Sequence, residues 1–248
     1  MKIVVVLNEK GGVGKTQTSF NLSLYSAEQG LRTLGLDTDT QGNYSQFLTG
    51  DLSIKHKDGG IKPLFLGETF EPLITPSGIH LLHGHRQLDV VDSAHGVFER
   101  ISSPQFRYEL RSLPYDVIVV DTPTAMNIRH SAPLYWADVA LIPVEPSLAA
   151  TDAVESVVDT IKKAQALNPS LRFKIVINKV KSNSKTHEKV VNLLRNIWGE
   201  RVIAVLGDRA AVADSILVDP PKAVWRYRGA KRDLRESWKS FCDQVING

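Results

Sequence analysis

Short, apolar, β-branched runs alternate along the chain with longer stretches whose apolar residues recur at helical spacing. Seven runs read as strands: Ile3–Leu7, Thr33–Asp37, Ile79–Leu82, Val117–Asp121, Val139–Val144, Phe173–Asn178 and Val202–Val205. Most are apolar on both faces, as strands buried between two helix layers must be. Between them, Thr16–Gln29, Thr151–Leu167 and Lys185–Ile197 read as helices. This βαβ rhythm predicts an α/β fold with one mostly parallel, twisted sheet and helices on both faces. No internal repeat or low-complexity linker divides residues 1–248, so a single domain is expected. The stretch Thr49–Ser77, rich in Gly, Pro and Lys, reads as exposed loop with short helices and as a candidate docking surface.

Composition narrows the class. Hydrophobic residues at 42% and charged residues at 23% exclude wholesale disorder. No stretch approaches the ~18 consecutive apolar residues of a membrane span. The apolar run in MKIVVVLNEKGG is too short for a signal peptide and has no small-residue cleavage site. A cytoplasmic protein is expected. The single cysteine, Cys242, rules out a disulfide framework and any CxxC motif, and it falls in the last helical stretch as a packed or surface residue.

The net charge of +3 is unevenly spread. Residues 222–239 hold Lys222, Arg226, Arg228, Lys231, Arg232, Arg235 and Lys239 against Asp233 and Glu236, a net of +5. Residues 172–189 are also net +5, which leaves the remainder at −7. Clustered cations collect field that dispersed ones cancel, so a polyanion partner and a pair of solvated helix faces are both open readings on charge. Trp225, Tyr227 and Trp238 interleave with the cations, but Leu234, Trp238, Phe241 and Val245 fall on one helical stripe, which favours packing.

The chemistry concentrates after the first strand, in Asn8-Glu9-Lys10-Gly11-Gly12-Val13-Gly14-Lys15-Thr16. The ordinary phosphate-loop pattern would place glycine at position 9, where this chain has Glu9. Gly11, Gly12 and Gly14 still let successive N–H groups turn toward phosphate oxygens, and the helix that follows aims its amino end at the same anion. Gly11 to Gln17, Val13 included, are therefore the expected nucleotide-binding residues, with Lys15 on the outer phosphates and the Thr16 hydroxyl on Mg²⁺.

KGGVGKT resembles the deviant Walker A motif of the ParA/MinD ATPases. The resemblance continues in DTDTQGN (37–43), in YDVIVVDTP (115–123) and in Ile177-Asn178-Lys179, and so covers nearly the whole chain. It implies a P-loop ATPase in which Lys10 reaches across an ATP-bound homodimer to the partner's phosphates. It implies too that Asp121 is the Walker B aspartate acting on Mg²⁺ through water, that Asp37 supports the metal shell, and that Asp39 activates water. By the same resemblance Asn178 contacts adenine. The NKxD sequence that reads guanine would need an aspartate at Lys181, so ATP is expected over GTP. Thr40 and Thr124 stand where the family commonly has proline, which changes loop stiffness without removing a ligand. HxxHxH (His80, His83, His85) is not read as a metal site, because residues three apart on a strand face opposite sides.

Three functions fit this core. The leading one is a ParA-type partition or cargo-positioning ATPase with ATP and Mg²⁺ as cofactors. Its dimer would hold non-specific DNA through Lys222, Arg226, Arg228, Lys231, Arg232 and Arg235, and a ParB-like or other centromere- or cargo-binding adaptor would stimulate weak basal hydrolysis. The motif begins at residue 8, which leaves no room before it for the helix-turn-helix domain of longer ParA proteins. The alternative is a MinD-like membrane ATPase, disfavoured because residues 241–248 carry no lysine or arginine. Ligases of the dethiobiotin synthetase type share the fold but lack an equivalent of Lys10, and iron–sulfur relatives need cysteines this chain does not have.

Overall fold

Ile3 and Val5 of β1 (Lys2–Val6) point into one apolar core and Val4 and Val6 into another, and all four are fully buried. A strand with two apolar faces needs helices above and below, and the computed structural model, which describes residues 1–248, supplies both layers. The other strands are β2 (Thr33–Asp37), β3 (Leu73–Ile74), β4 (His80–Leu82), β5 (Val117–Asp121), β6 (Val139–Val144), β7 (Arg172–Val180) and β8 (Val202–Gly207). They form one sheet in the order β3-β4-β2-β5-β1-β6-β7-β8. Every neighbouring pair is parallel except β3 with β4.

One face is covered by the helices Ala150–Gln165 and Lys185–Trp198, with the short helices Lys62–Leu66, Val97–Ile101 and Pro104–Arg111 beside them. The other face is covered by α1 (Lys15–Glu28) and the helix Arg232–Ile246, whose Leu234, Trp238, Phe241 and Val245 are buried as one stripe. The last carbonyls of that helix accept cations, with Lys174 Nζ 2.6 Å from Gln244 O and Lys2 Nζ 3.0 Å from Ile246 O, which suits the negative end of its dipole.

The seven expected strands are all present, Thr33–Asp37, Val117–Asp121 and Val139–Val144 with the expected ends and the other four with ends shifted by no more than two residues. β3 was not expected, since its two residues are both exposed and show no alternation. The stretch Thr49–Ser77 is loop with short helices, as expected, but it is not exposed throughout. Ile54, Ile61, Leu64 and Phe65 are buried, while about half of the stretch, Leu52 and Ile74 among it, stands in solvent.

The topology locates the site. From β1 the chain moves to β2 on one side, and from β5 it crosses back over β1 to β6 on the other. At such a reversal the loops beyond the carboxyl ends of the strands separate and leave a crevice. The glycine-rich loop lies there.

Candidate nucleotide site

The loop after β1 is held at both ends. Asn8 is buried, with its amide donating to Pro143 O (2.8 Å) and its Oδ1 accepting from Lys10 N (2.9 Å). Gly12 (φ 77°) and Gly14 (φ 98°) take left-handed conformations, and a Cβ at Gly14 would collide with the Asn178 side chain. The amino end of α1 has no side-chain cap and no acidic residue in its first turn. Its N–H groups and dipole are therefore left for an external anion.

Asn178 and Lys179, at the end of β7, clamp this loop from the far side. Asn178 Nδ2 donates to Val13 O (3.0 Å) and Lys179 Nζ to Gly12 O (2.6 Å). Lys179 does so from a left-handed backbone (φ 56°), unusual for a residue with a side chain.

Asp37 and Asp121 are direct partners in the β2–β5 register, and both carboxyls are buried. Asp121 accepts from Thr16 Oγ1 (2.9 Å) and Ser19 Oγ (2.7 Å). Asp37 accepts from Ser45 Oγ (2.6 Å), Ser45 N (2.9 Å) and Asp39 N (3.1 Å). Burial drives both carboxyls above the usual range, and for Asp121 the neighbouring Asp37 adds to it. Burial also lowers the Lys15 ammonium, against the opposing pull of Asp121 and Asp39. Two adjacent buried carboxylates beside a single buried lysine are short of positive charge, and a hydroxyl already lies on one of them. That donor set fits Mg²⁺. No three His, Cys, Asp or Glu side chains converge to hold a metal by themselves, so an Mg²⁺ here would draw the rest of its shell from water and phosphate oxygens. The histidines outside the site have other partners: His80 pairs with Tyr115 Oη (2.8 Å) and His83 with Gly84 O (3.0 Å).

A cavity of about 490 Å³ opens over the loop. Gly11, Gly12, Gly14, Lys15 and Thr16 form its floor, Asp39, Gln41, Asn43 and Phe47 one wall, and Asn178, Lys179, Gly207, Asp208, Arg209, Val212 and Ile216 the other. Asp39 Oδ1 accepts from Gln41 N (3.0 Å) and its other oxygen has no partner. Gln17 also lines the cavity, but its amide is committed to Val212 O (2.7 Å) and so braces the far wall. Lys10 is exposed, lies outside the cavity lining, and rests 3.3 Å from Ser147 Oγ.

The far wall beyond Asn178 and Lys179 was missed in the sequence. Gly207 ends β8, Asp208 and Arg209 follow it, and none of the three carries a motif. One signal could have marked them, because any loop at the carboxyl end of a parallel strand borders the crevice.

The six cations proposed for DNA do not form one free set. Arg226 pairs with Glu28 (2.9 Å) and Arg232 with Glu236 (2.6 Å). Arg235 is half-buried, with its guanidinium donating to Ala230 O (2.7 Å) and Tyr227 O (2.9 Å). Lys222, Arg228 and Lys231 are exposed with no side-chain partner in the chain. Trp225 and Trp238 are packed in the core, Trp225 donating to Glu28 Oε2 (2.9 Å), so neither is available for stacking.

A family model described as an AAA domain matches residues 1–173. The chromosome-partitioning ATPase Soj of Thermus thermophilus is 32% identical over 203 residues, covering 80% of this chain and 78% of its own. Among solved structures, apo McdA of Cyanothece superposes with a TM-score of 0.81 at 17% identity, covering 99% of both chains. Cobyrinic acid a,c-diamide synthase of Mycobacterium smegmatis, with a bound ATP analogue and magnesium, superposes with a TM-score of 0.76 at 21% identity, covering 100% of this chain and 95% of its own. At these identities the two structures speak for the fold, which positioning proteins and a biosynthetic enzyme share.

Proposed function

We propose a function from the premise that the chain belongs to the ParA/MinD family of deviant Walker A ATPases and is a partition or positioning ATPase of that type. Its ATP-bound form is a sandwich dimer that holds DNA without sequence preference. Hydrolysis, stimulated by a ParB-like or other cargo-binding adaptor, resets it. The observation that carries this reading is Lys10. Lys15, the loop's other cation, lines the cavity, whereas Lys10 is exposed and lies outside the lining, which supports a role toward a second subunit's nucleotide.

Within one subunit the roles follow from position. Lys15 neutralises the outer phosphates from below, and the amino end of α1 binds them through N–H groups. Thr16, with Asp121 acting through water, would hold Mg²⁺, which supplies charge neutralisation at the phosphates. Asp37, fixed by Ser45, keeps the Asp121 side of the shell in place. Asp39 presents one unpartnered carboxylate oxygen to the cavity and orients the attacking water, while Asn178 lines the path to the adenine.

DNA is favoured over a lipid surface because the apolar stripe of the last helix is buried against the sheet, leaving no amphipathic face for membrane insertion. Lys222, Arg228 and Lys231 are the cations free to meet phosphates. The test is duplex binding by purified Asp39→Ala protein, with ATP against ADP at two salt concentrations. ATP-dependent binding that weakens steeply with salt is expected. Binding that ignores nucleotide or salt overturns the reading, and ATP-dependent sedimentation with anionic liposomes instead would install the membrane alternative.

A further inference from the structure

The short helix Ile128–Ser131 follows the strand that ends in Asp121, and its consecutive residues hold two different loops of the site. His130 is buried, and its Nδ1 lies 2.8 Å from Pro123 O. A carbonyl can only accept, so Nδ1 carries the proton and holds the backbone two residues beyond Asp121. Arg129 turns the other way. It is 5% exposed, and its Nη1 donates to Thr38 O (3.1 Å), the carbonyl of the peptide that joins Thr38 to Asp39. Thr38 Oγ1 in turn donates to Asp121 O (2.9 Å).

A buried guanidinium needs a counter-charge, and Asp92 supplies it from the helix Val90–Ser93. Asp92 Oδ2 accepts from Arg129 Nε (2.9 Å) and Nη2 (2.8 Å), and from Asn127 Nδ2 (3.0 Å). The pair thus ties the short-helix layer to the Asp39 loop. Neither residue lines the cavity, so neither is a nucleotide ligand. An apolar residue would fill the same space without the desolvation cost of two ions, and what the pair adds is direction: a planar fork that fixes one particular carbonyl.

We propose that Arg129, oriented by Asp92, is a positioning residue for hydrolysis, holding the Thr38–Asp39 peptide so that the Asp39 carboxylate faces the cavity. This rests on the reading of Asp39 as the group that orients water. A small displacement of such a group lowers the rate of the chemical step and leaves phosphate binding by the glycine loop nearly intact.

The test uses the full chain carrying Arg129→Gln together with Asp92→Asn, a neutral pair that leaves no buried charge unpaired. Arg129→Lys serves as the conservative variant. Single-turnover hydrolysis of radiolabelled ATP, affinity for a fluorescent ATP analogue, and hydrogen exchange of the Asp37–Asn43 segment without nucleotide are measured together. The neutral pair is expected to hydrolyse ~10- to 100-fold more slowly. Its nucleotide affinity should stay within about threefold of the parent, with faster exchange at the Asp39 and Gln41 amides. Arg129→Lys should recover part of the rate. Parental hydrolysis, unchanged exchange, or rate and affinity falling in step would each overturn the positioning role. Asp39→Ala runs alongside: if it hydrolyses at the parental rate, the reading of Asp39 itself has failed, whereas an inactive Asp39→Ala beside a fully active neutral pair condemns only the role of Arg129.

Discussion

The phosphate cradle and the stretch 222–239 are both rich in polar groups, and they use them in opposite ways. At the cradle, residues from five strand ends converge on one cavity, and each bond they make to the protein aims another group inward. Asn178 and Lys179 shape the glycine loop, Thr16 and Ser19 orient Asp121, and Ser45 fixes Asp37. Along 222–239 the internal bonds subtract. Arg226, Arg232 and Arg235 are committed to Glu28, Glu236 and backbone carbonyls, and the tryptophans belong to the core. A motif fixes geometry because its spacing forces its members together, while a count of charges fixes none until the partners within the chain are removed.

The sharpest way to break this contrast is Lys15→Ala. It takes away the buried cation beside two buried carboxylates, and affinity for a fluorescent ATP analogue should fall at least ~100-fold, the scale of a buried charge pair broken on one side. Retained affinity would mean that the loop's backbone binds phosphate unaided. Next comes Asn178→Ala, which deletes the bond to Val13 O and loosens the loop. A loss of about tenfold in the same titration is expected, in keeping with a buried acceptor left unpaired. The smallest effects are expected in the basic stretch, where the variants should sort by partner. Lys222→Gln and Arg228→Gln should each weaken ATP-dependent DNA binding a few-fold and lower the salt slope by ~1. Arg235→Gln should leave that slope alone and lower stability by about 1–3 kcal/mol in a denaturant titration, since its charged hydrogen bonds serve the fold. A salt slope that drops equally for all three would erase the distinction between the two regions.

The same contrast explains what was legible in the sequence. KGGVGKT, Asp37, Asp39 and Asp121 announced themselves because the aspartates sit within two residues of a strand end and the glycine loop follows β1 directly, so local spacing and tertiary position coincide. Gly207, Asp208, Arg209 and Ile216 did not, since they join the cavity from a strand some 190 residues downstream of the glycine loop with ordinary side chains. Arg129 and Asp92 were silent for a related reason. A buried ion pair between two helices of four residues each leaves no periodicity to read. β3 escaped because two exposed residues on a sheet edge carry no alternation, and Thr49–Ser77 looked looser than it is because its buried residues are scattered among glycines and lysines. The helix Arg232–Ile246 went the other way: its apolar stripe read correctly as packing because the 3.6-residue period survives any amount of surface charge.

The bond from Asn178 to Val13 spans 165 residues of chain. In order of synthesis, the glycine loop therefore leaves the ribosome first and is secured late. The stretch that matches the family model ends at residue 173, before either member of the Asn178–Lys179 clamp has been made. The strand that delivers the loop, β1, must wait for β5 and β6 to close on it from both sides. A nascent chain stalled before β7 displays the whole motif without the donors that shape it, so its nucleotide affinity should rise once the clamp emerges. On this account, tight ATP uptake would mark the arrival of the clamp, long after the motif itself is in the open.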